Sequence, residues 1–209
     1  MARDTWRWAW LTVLGLAMLT ASYILMYFVC RYRSALPFSP GLDLLVRNLP
    51  RRDWTWLLSQ GYILFLAGFY LYWIRRDWRK IGYLLAATAV MMTVRDVFLL
   101  LTPVGPLPGL IPLYSGAIVR GVRDRLLFDG ELFFSGHTAA PFLYFMLSRR
   151  QRALSLICLA VSLANGLGVL VTRNHYSIDV LGAFVMVPTI YAMSRRLFGW
   201  MDPEPEAAA

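Results

Sequence analysis

Apolar runs of about 20 residues, the length a helix needs to cross a hydrocarbon layer roughly 30 Å thick, recur along this chain and leave few folds open to it. In lipid every backbone N–H and C=O must find its partner inside the protein, so such runs become helices packed on helices. Six are legible: about Trp10 to Val29, Trp54 to Ile74, Ile81 to Leu101, Ser135 to Leu147, Ala153 to Val171 and Tyr176 to Met193. The expected fold is all-α, a polytopic membrane protein with six transmembrane helices in a single bundle joined by short loops. Residues 1–201 form that domain, with no soluble domain and no internal repeat, and the acidic, Pro/Ala-rich tail 202–209 is expected to be disordered. The 58% hydrophobic content of the 209 residues agrees, since a soluble domain sits near 45–50%. Arg3 and Arg7 before the first run resemble a signal-peptide flank. The run is long, however, and Arg31 and Arg33 follow it, which favours an uncleaved span.

The formal charge of +9, from 21 Lys+Arg against 12 Asp+Glu, does not point to nucleic acid. The cations stand in short clusters between apolar runs, without the solvated basic face such binding needs. Arg75, Arg76, Arg79 and Lys80 share one tight turn and Arg149, Arg150 and Arg152 another. Together with Arg3, Arg7, Arg195 and Arg196 they fall on one side of a six-span layout. By the positive-inside rule that side, with both termini, is cytoplasmic. The opposite, outer side carries the longer connections 31–53 and 102–134 and the short turn at Arg173. Lys80 is the one lysine, so nearly every cation is a guanidinium suited to phosphate. Cys30 and Cys158 lie within spans and read as small hydrophobes, not as a disulfide or metal framework.

The two histidines of the chain each open a span at that outer boundary. His137 stands in Ser135-Gly136-His137-Thr138, and His175 in His175-Tyr176-Ser177-Ile178-Asp179. His175 and Asp179 are four apart, hence neighbours on one helical face. A carboxylate so placed can hold one imidazole nitrogen and leave the other as nucleophile or base; a polar pair that tunes helix packing is the plainer alternative. Ser135 and Gly136 begin a helix whose N–H groups and dipole favour a phosphate oxygen, and Gly136 lets the backbone come close. Arg95 interrupts the third span and either pairs with Asp96 or reaches a phosphate. Arg173 reads equally as a phosphate clamp or a head-group contact. Arg120, Arg123 and Arg125 read as interfacial. Glu131 reads as a partner for a histidine or an amine head group, or as a solvated loop carboxylate.

Ser135-Gly136-His137-Thr138 and His175-Tyr176-Ser177-Ile178-Asp179 resemble the two signature motifs of the sphingomyelin synthases, within the type 2 phosphatidic acid phosphatase superfamily. Arg95 and the stretch Leu101-Thr102-Pro103-Val104-Gly105-Pro106-Leu107-Pro108-Gly109 are similar to that family's third-helix end and following loop, so the likeness runs from about Asp43 to Ala192. It implies His175 as nucleophile on phosphorus, Asp179 orienting it, and His137 as the acid that releases diacylglycerol and then the base for an acceptor hydroxyl. No metal and no cofactor is implied. Glu131 falls where the family usually has Asp, and Arg173-Asn174 departs from the animal members. The lysine and Arg-Pro of the ordinary lipid phosphatases are missing, and Val169 stands where their second motif has Arg. Both departures favour the synthase branch.

The expected activity is therefore transfer of a phosphocholine- or phosphoethanolamine-like group from a membrane phospholipid to a hydroxyl lipid such as ceramide or diacylglycerol. The rival with water as acceptor is a phospholipase C or lipid-phosphate phosphatase. Two non-enzymatic rivals are a haem held between His137 and His175 and a lipid-binding bundle.

Overall fold

The computed structural model describes residues 2–36, 40–102, 104–113 and 133–204. Glu131, Arg120, Arg123 and Arg125 lie outside them. Among these residues the regular elements are helical, and extended backbone pairs only in an isolated parallel bridge between Pro40 and Gly105. The helices are α1 (Ala2–Ser34), α2 (Leu44–Asn48), α3 (Tyr62–Asp77), α4 (Ile81–Leu101), α5 (Gly136–Leu147), α6 (Arg152–Val171) and α7 (Ser177–Phe198).

Among the described residues four helical runs are long and apolar enough to cross a membrane: Asp4–Ser34, Leu57–Leu101, Arg152–Val171 and Ser177–Met201. Two of the expected spans, Trp54–Ile74 and Ile81–Leu101, are arms of a single 45-residue run. The run breaks at Asp77, whose backbone is extended (φ −162°, ψ 92°) and whose carboxylate caps the 3₁₀ turn Trp78–Lys80. The fourth expected span is shorter than a bilayer needs. The 12 residues of α5 make about 18 Å of helix.

Side-chain contacts fix the helix directions. Tyr144 of α5 meets Tyr70 of α3 and Thr88 of α4, its hydroxyl 3.3 Å from each of theirs, so α3 and α4 run antiparallel about the 3₁₀ turn. On α6, Ser155 bonds the Phe145 carbonyl, Ser162 that of Thr138 and Asn165 that of His137; α5 and α6 are antiparallel. α1 instead runs parallel to α4. Gly15 lies against Gly82 near the start of both, while Arg33 donates to the carbonyls of Thr102 and Val104 past the end of α4. The approach at the glycines is tight: a Cβ on Gly82 would stand 2.6 Å from the Leu11 carbonyl oxygen. Small residues at such a crossing let backbones meet in lipid, where apolar burial gives little drive for association.

The main core fills the bundle around Phe69, Trp73, Tyr83, Leu84, Met91 and Tyr144, with the Tyr144 ring stacked on Phe69 at 4.3 Å. Apolar side chains such as Leu64, Val185 and Leu181 face outward at 72%, 71% and 59% exposure, as a lipid-facing surface requires. A second, smaller core joins Val46, Leu58 and Leu107 to Val169, Leu170, Tyr176 and Val180. It fastens the two loop segments before α3 and after α4 onto the α6–α7 turn. That turn carries His175.

Candidate active site

The α6–α7 turn is built by wide hydrogen bonds. The N–H groups of Asn174 and His175 both reach the Val169 carbonyl, at 2.9 and 3.2 Å, and Arg173 takes a left-handed conformation (φ 60°) to allow it. α7 then begins at Ser177, which makes Asp179 its third residue. The Oδ2 of Asp179 accepts the Tyr176 N–H at 2.9 Å and lies 3.2 Å from His175 Nδ1. One carboxylate oxygen thus caps the helix and holds the imidazole. With Nδ1–H directed at Asp179, Nε2 is the basic nitrogen of the ring. His175 and Asp179 are 6% and 2% exposed.

The second motif is tied to the first through the backbone. The Ser135 N–H donates to the Asp179 carbonyl at 3.1 Å, so the N-termini of α5 and α7 meet at one point. Ser135 is fully buried. Its hydroxyl accepts from Thr138 at 3.1 Å instead of capping α5. Arg95 of α4 donates Nε to the Phe134 carbonyl at 2.9 Å, and its guanidinium lies 3.7 Å from where a Gly136 Cβ would stand. That described bond of Arg95 runs to the residue before the Ser135-Gly136-His137 segment. The imidazole of His137 is carried on the second residue of α5. That ring packs against Tyr62 with centroids 4.8 Å apart and faces the Leu58 carbonyl. Leu58 belongs to the π-helical turn Leu57–Gly61, a distortion frequent at functional sites.

Arg173 takes a different place. It donates to the Pro108 carbonyl at 2.9 Å and lies beside Gly109, whose left-handed φ of 77° belongs to the same loop, with Arg51 on its other side. Its described bond secures the loop that follows α4. Glu131 lies outside the described residues.

Three residues that sequence reasoning passed over shape the site. Asp43 accepts the N–H groups of Leu45 and Val46 at 3.0 and 2.9 Å through Oδ1, and that of Ser177 at 2.6 Å through Oδ2. One carboxylate caps α2 and α7 together. Burial raises its pKa, but the amides of Val46, Ser177 and Leu45 outweigh this and hold it below the ordinary value. The Tyr176 hydroxyl donates to the Gly105 carbonyl at 2.9 Å and accepts the Gly41 N–H at 2.8 Å, pinning both loops to the motif. Asn165, fully buried, donates to the His137 carbonyl at 3.1 Å, while its Oδ1 has no hydrogen-bond partner among the described residues. Asp43 had a legible signal, an Asp before a short apolar run; Asn165 is simply a lone amide in an apolar span.

Comparison with known families agrees with this geometry. The model described as PAP2 superfamily C-terminal matches residues 130–196, roughly a third of the chain, and that segment holds both histidine motifs. The match supports the type 2 phosphatidic acid phosphatase superfamily, whose members act as lipid phosphatases or phosphotransferases, and leaves the branch within it open. No curated protein and no solved structure gives a significant match.

Proposed function

We propose that this chain is a membrane lipid phosphotransferase of the sphingomyelin synthase kind. It would move a phosphocholine- or phosphoethanolamine-like group from a glycerophospholipid to a hydroxyl lipid such as ceramide or diacylglycerol. The observation that carries the reading is the junction at Asp179: its Oδ2 lies 3.2 Å from His175 Nδ1, while its carbonyl accepts the Ser135 N–H. A nucleophile oriented by a buried carboxylate and a second histidine on an adjoining helix start are what a two-step displacement at phosphorus needs.

In the first step His175 Nε2 attacks phosphorus, the bond from phosphorus to the diacylglycerol oxygen breaks, and His137 gives that oxygen its proton. The nitrogen-bound head group is then attacked by the acceptor hydroxyl. His137 takes the hydroxyl proton, the P–N bond breaks, and His175 returns to its starting state. Arg95, Gly136 and the N–H groups opening α5 neutralise the phosphate oxygens, and Arg173 holds the outer loop over them.

The same reading includes a six-span topology in which α5 crosses as a short helix inside the bundle. The histidines face the outer side, and both termini and the arginine-rich turns face the cytoplasm. The decisive test follows a labelled head group in mixed micelles of phospholipid and ceramide, with products identified by mass spectrometry. Label on ceramide or another hydroxyl lipid is the expected result. Label found only on phosphate or a water-soluble phosphoester would mean that water is the acceptor, and the transferase assignment would fall to a hydrolase using the same residues.

A further inference from the structure

One cavity among the described residues lies away from the histidines. About 230 Å³ in volume, it lies at the other end of the bundle, lined by Lys80, Arg150, Arg195, Trp200, Asp202 and Glu204 among others. Lys80, at the N-cap of α4, precedes Arg95 on that helix by roughly 22 Å. The one lysine of the chain is 3% exposed there. Its ammonium stands 4.6 Å from the Trp73 ring centroid and faces Asp202 Oδ1 at 3.6 Å and Glu204 Oε2 at 3.9 Å.

Those two contacts neutralise the lysine without hydrogen-bonding it, since both exceed hydrogen-bond length. Glu204 Oε2 is itself buried with no hydrogen-bond partner among the described residues, and burial raises the Asp202 carboxyl above its ordinary pKa. A buried ammonium and a buried carboxylate oxygen paired at 3.9 Å, beyond hydrogen-bond length, mark a site that its own acidic groups fill loosely. A compact dianionic group would fit better, with more acceptor oxygens and the reach to meet Lys80, Arg150 and Arg195 together. The cavity also lies at head-group depth. Trp200 lines it at 55% exposure, as interfacial tryptophans do.

We propose that this cavity is a second phosphate site, for the phosphate of an anionic phospholipid head group at the leaflet opposite the histidines. Asp202 and Glu204 then act as an internal occupant that the phosphate displaces. The site is independent of the reaction assigned to His137 and His175, because none of its residues contributes to that centre.

The test measures thermal unfolding of the full chain in detergent, titrated with phosphatidic acid, phosphatidylcholine or inorganic phosphate. Phosphatidic acid should stabilise the protein and phosphatidylcholine should not. In the Arg150→Gln and Arg195→Gln variants the apparent affinity should fall about fivefold per cation removed. The double variant Asp202→Asn/Glu204→Gln should bind more tightly than the parent chain, which a purely structural latch would not do. Repeating the titration with His175→Ala separates binding at the catalytic end, since that change should leave the response intact. Equal response to both lipids, or a response untouched by the arginine substitutions, would overturn the proposal. Saturation by inorganic phosphate through the same arginines would assign the site to free phosphate instead of lipid.

Discussion

At the scale of single residues, the site depends on what each carboxylate holds. Asp179 spends one oxygen on both His175 Nδ1 and the Tyr176 N–H, so Asp179→Asn should let the ring turn or take the wrong tautomer. Loss of turnover by about 10³–10⁴-fold is expected with the fold retained, by analogy with orienting carboxylates elsewhere. His137→Ala should cost about 10²–10⁴-fold with a natural donor lipid, the range of a lost general acid. Much less should be lost with a nitrophenyl phosphodiester, whose leaving group needs no proton; equal losses on both donors would remove His137 from that role. Asp43 acts on stability. Its folded carboxyl ionises at lower pH than an unfolded one, so its contribution is complete above the unfolded value near 4 and is lost as the pH falls through the folded value. Asp43→Ala should therefore cost about 1–2 kcal/mol at pH 7, and its thermal-melt difference from the parent chain should shrink in acid. A difference constant with pH would mean that the ionised carboxylate is not what caps α7.

At the scale of elements, the apolar runs located every long helix because length and hydropathy alone decide what can cross lipid. They also bounded α5 closely, the expected Ser135–Leu147 standing against the observed Gly136–Leu147 with Ser135 as its N-cap. They left the partner of α1 undetermined. Apolar residues face lipid and protein alike, and the parallel seat of α1 on α4 is decided by Gly15 and Gly82. Gly82→Leu should push the two helices apart, at about 1–3 kcal/mol for overpacking or more because the clash is with backbone. A melt of the variant in detergent checks this, and an unchanged midpoint would mean that α1 is held by other contacts, such as Arg33 on the Thr102 and Val104 carbonyls.

At the scale of the whole molecule, the two ends of the bundle are chemically distinct. One gathers the histidines under loops pinned by Tyr176 and Asp43, and the other gathers Lys80, Arg150 and Arg195 around an acidic chain end. With the two native cysteines buried, a cysteine at exposed Arg51 should react with an impermeant maleimide from outside the cell, and one at Arg150 only after the membrane is opened. The reverse pattern would invert the proposed topology. The histidine motifs were legible in the sequence because two polar, ionisable segments at bilayer depth are costly unless used. Asn165 and the Leu58 carbonyl were not, because their part depends on which helix faces His137. The central claim is that His175 attacks phosphorus. Turnover of a labelled donor lipid by His175→Ala, beside the parent chain and with folding verified by its melt, tests it most directly. A fall of about 10³-fold or more is predicted; activity within a few-fold of the parent would contradict it.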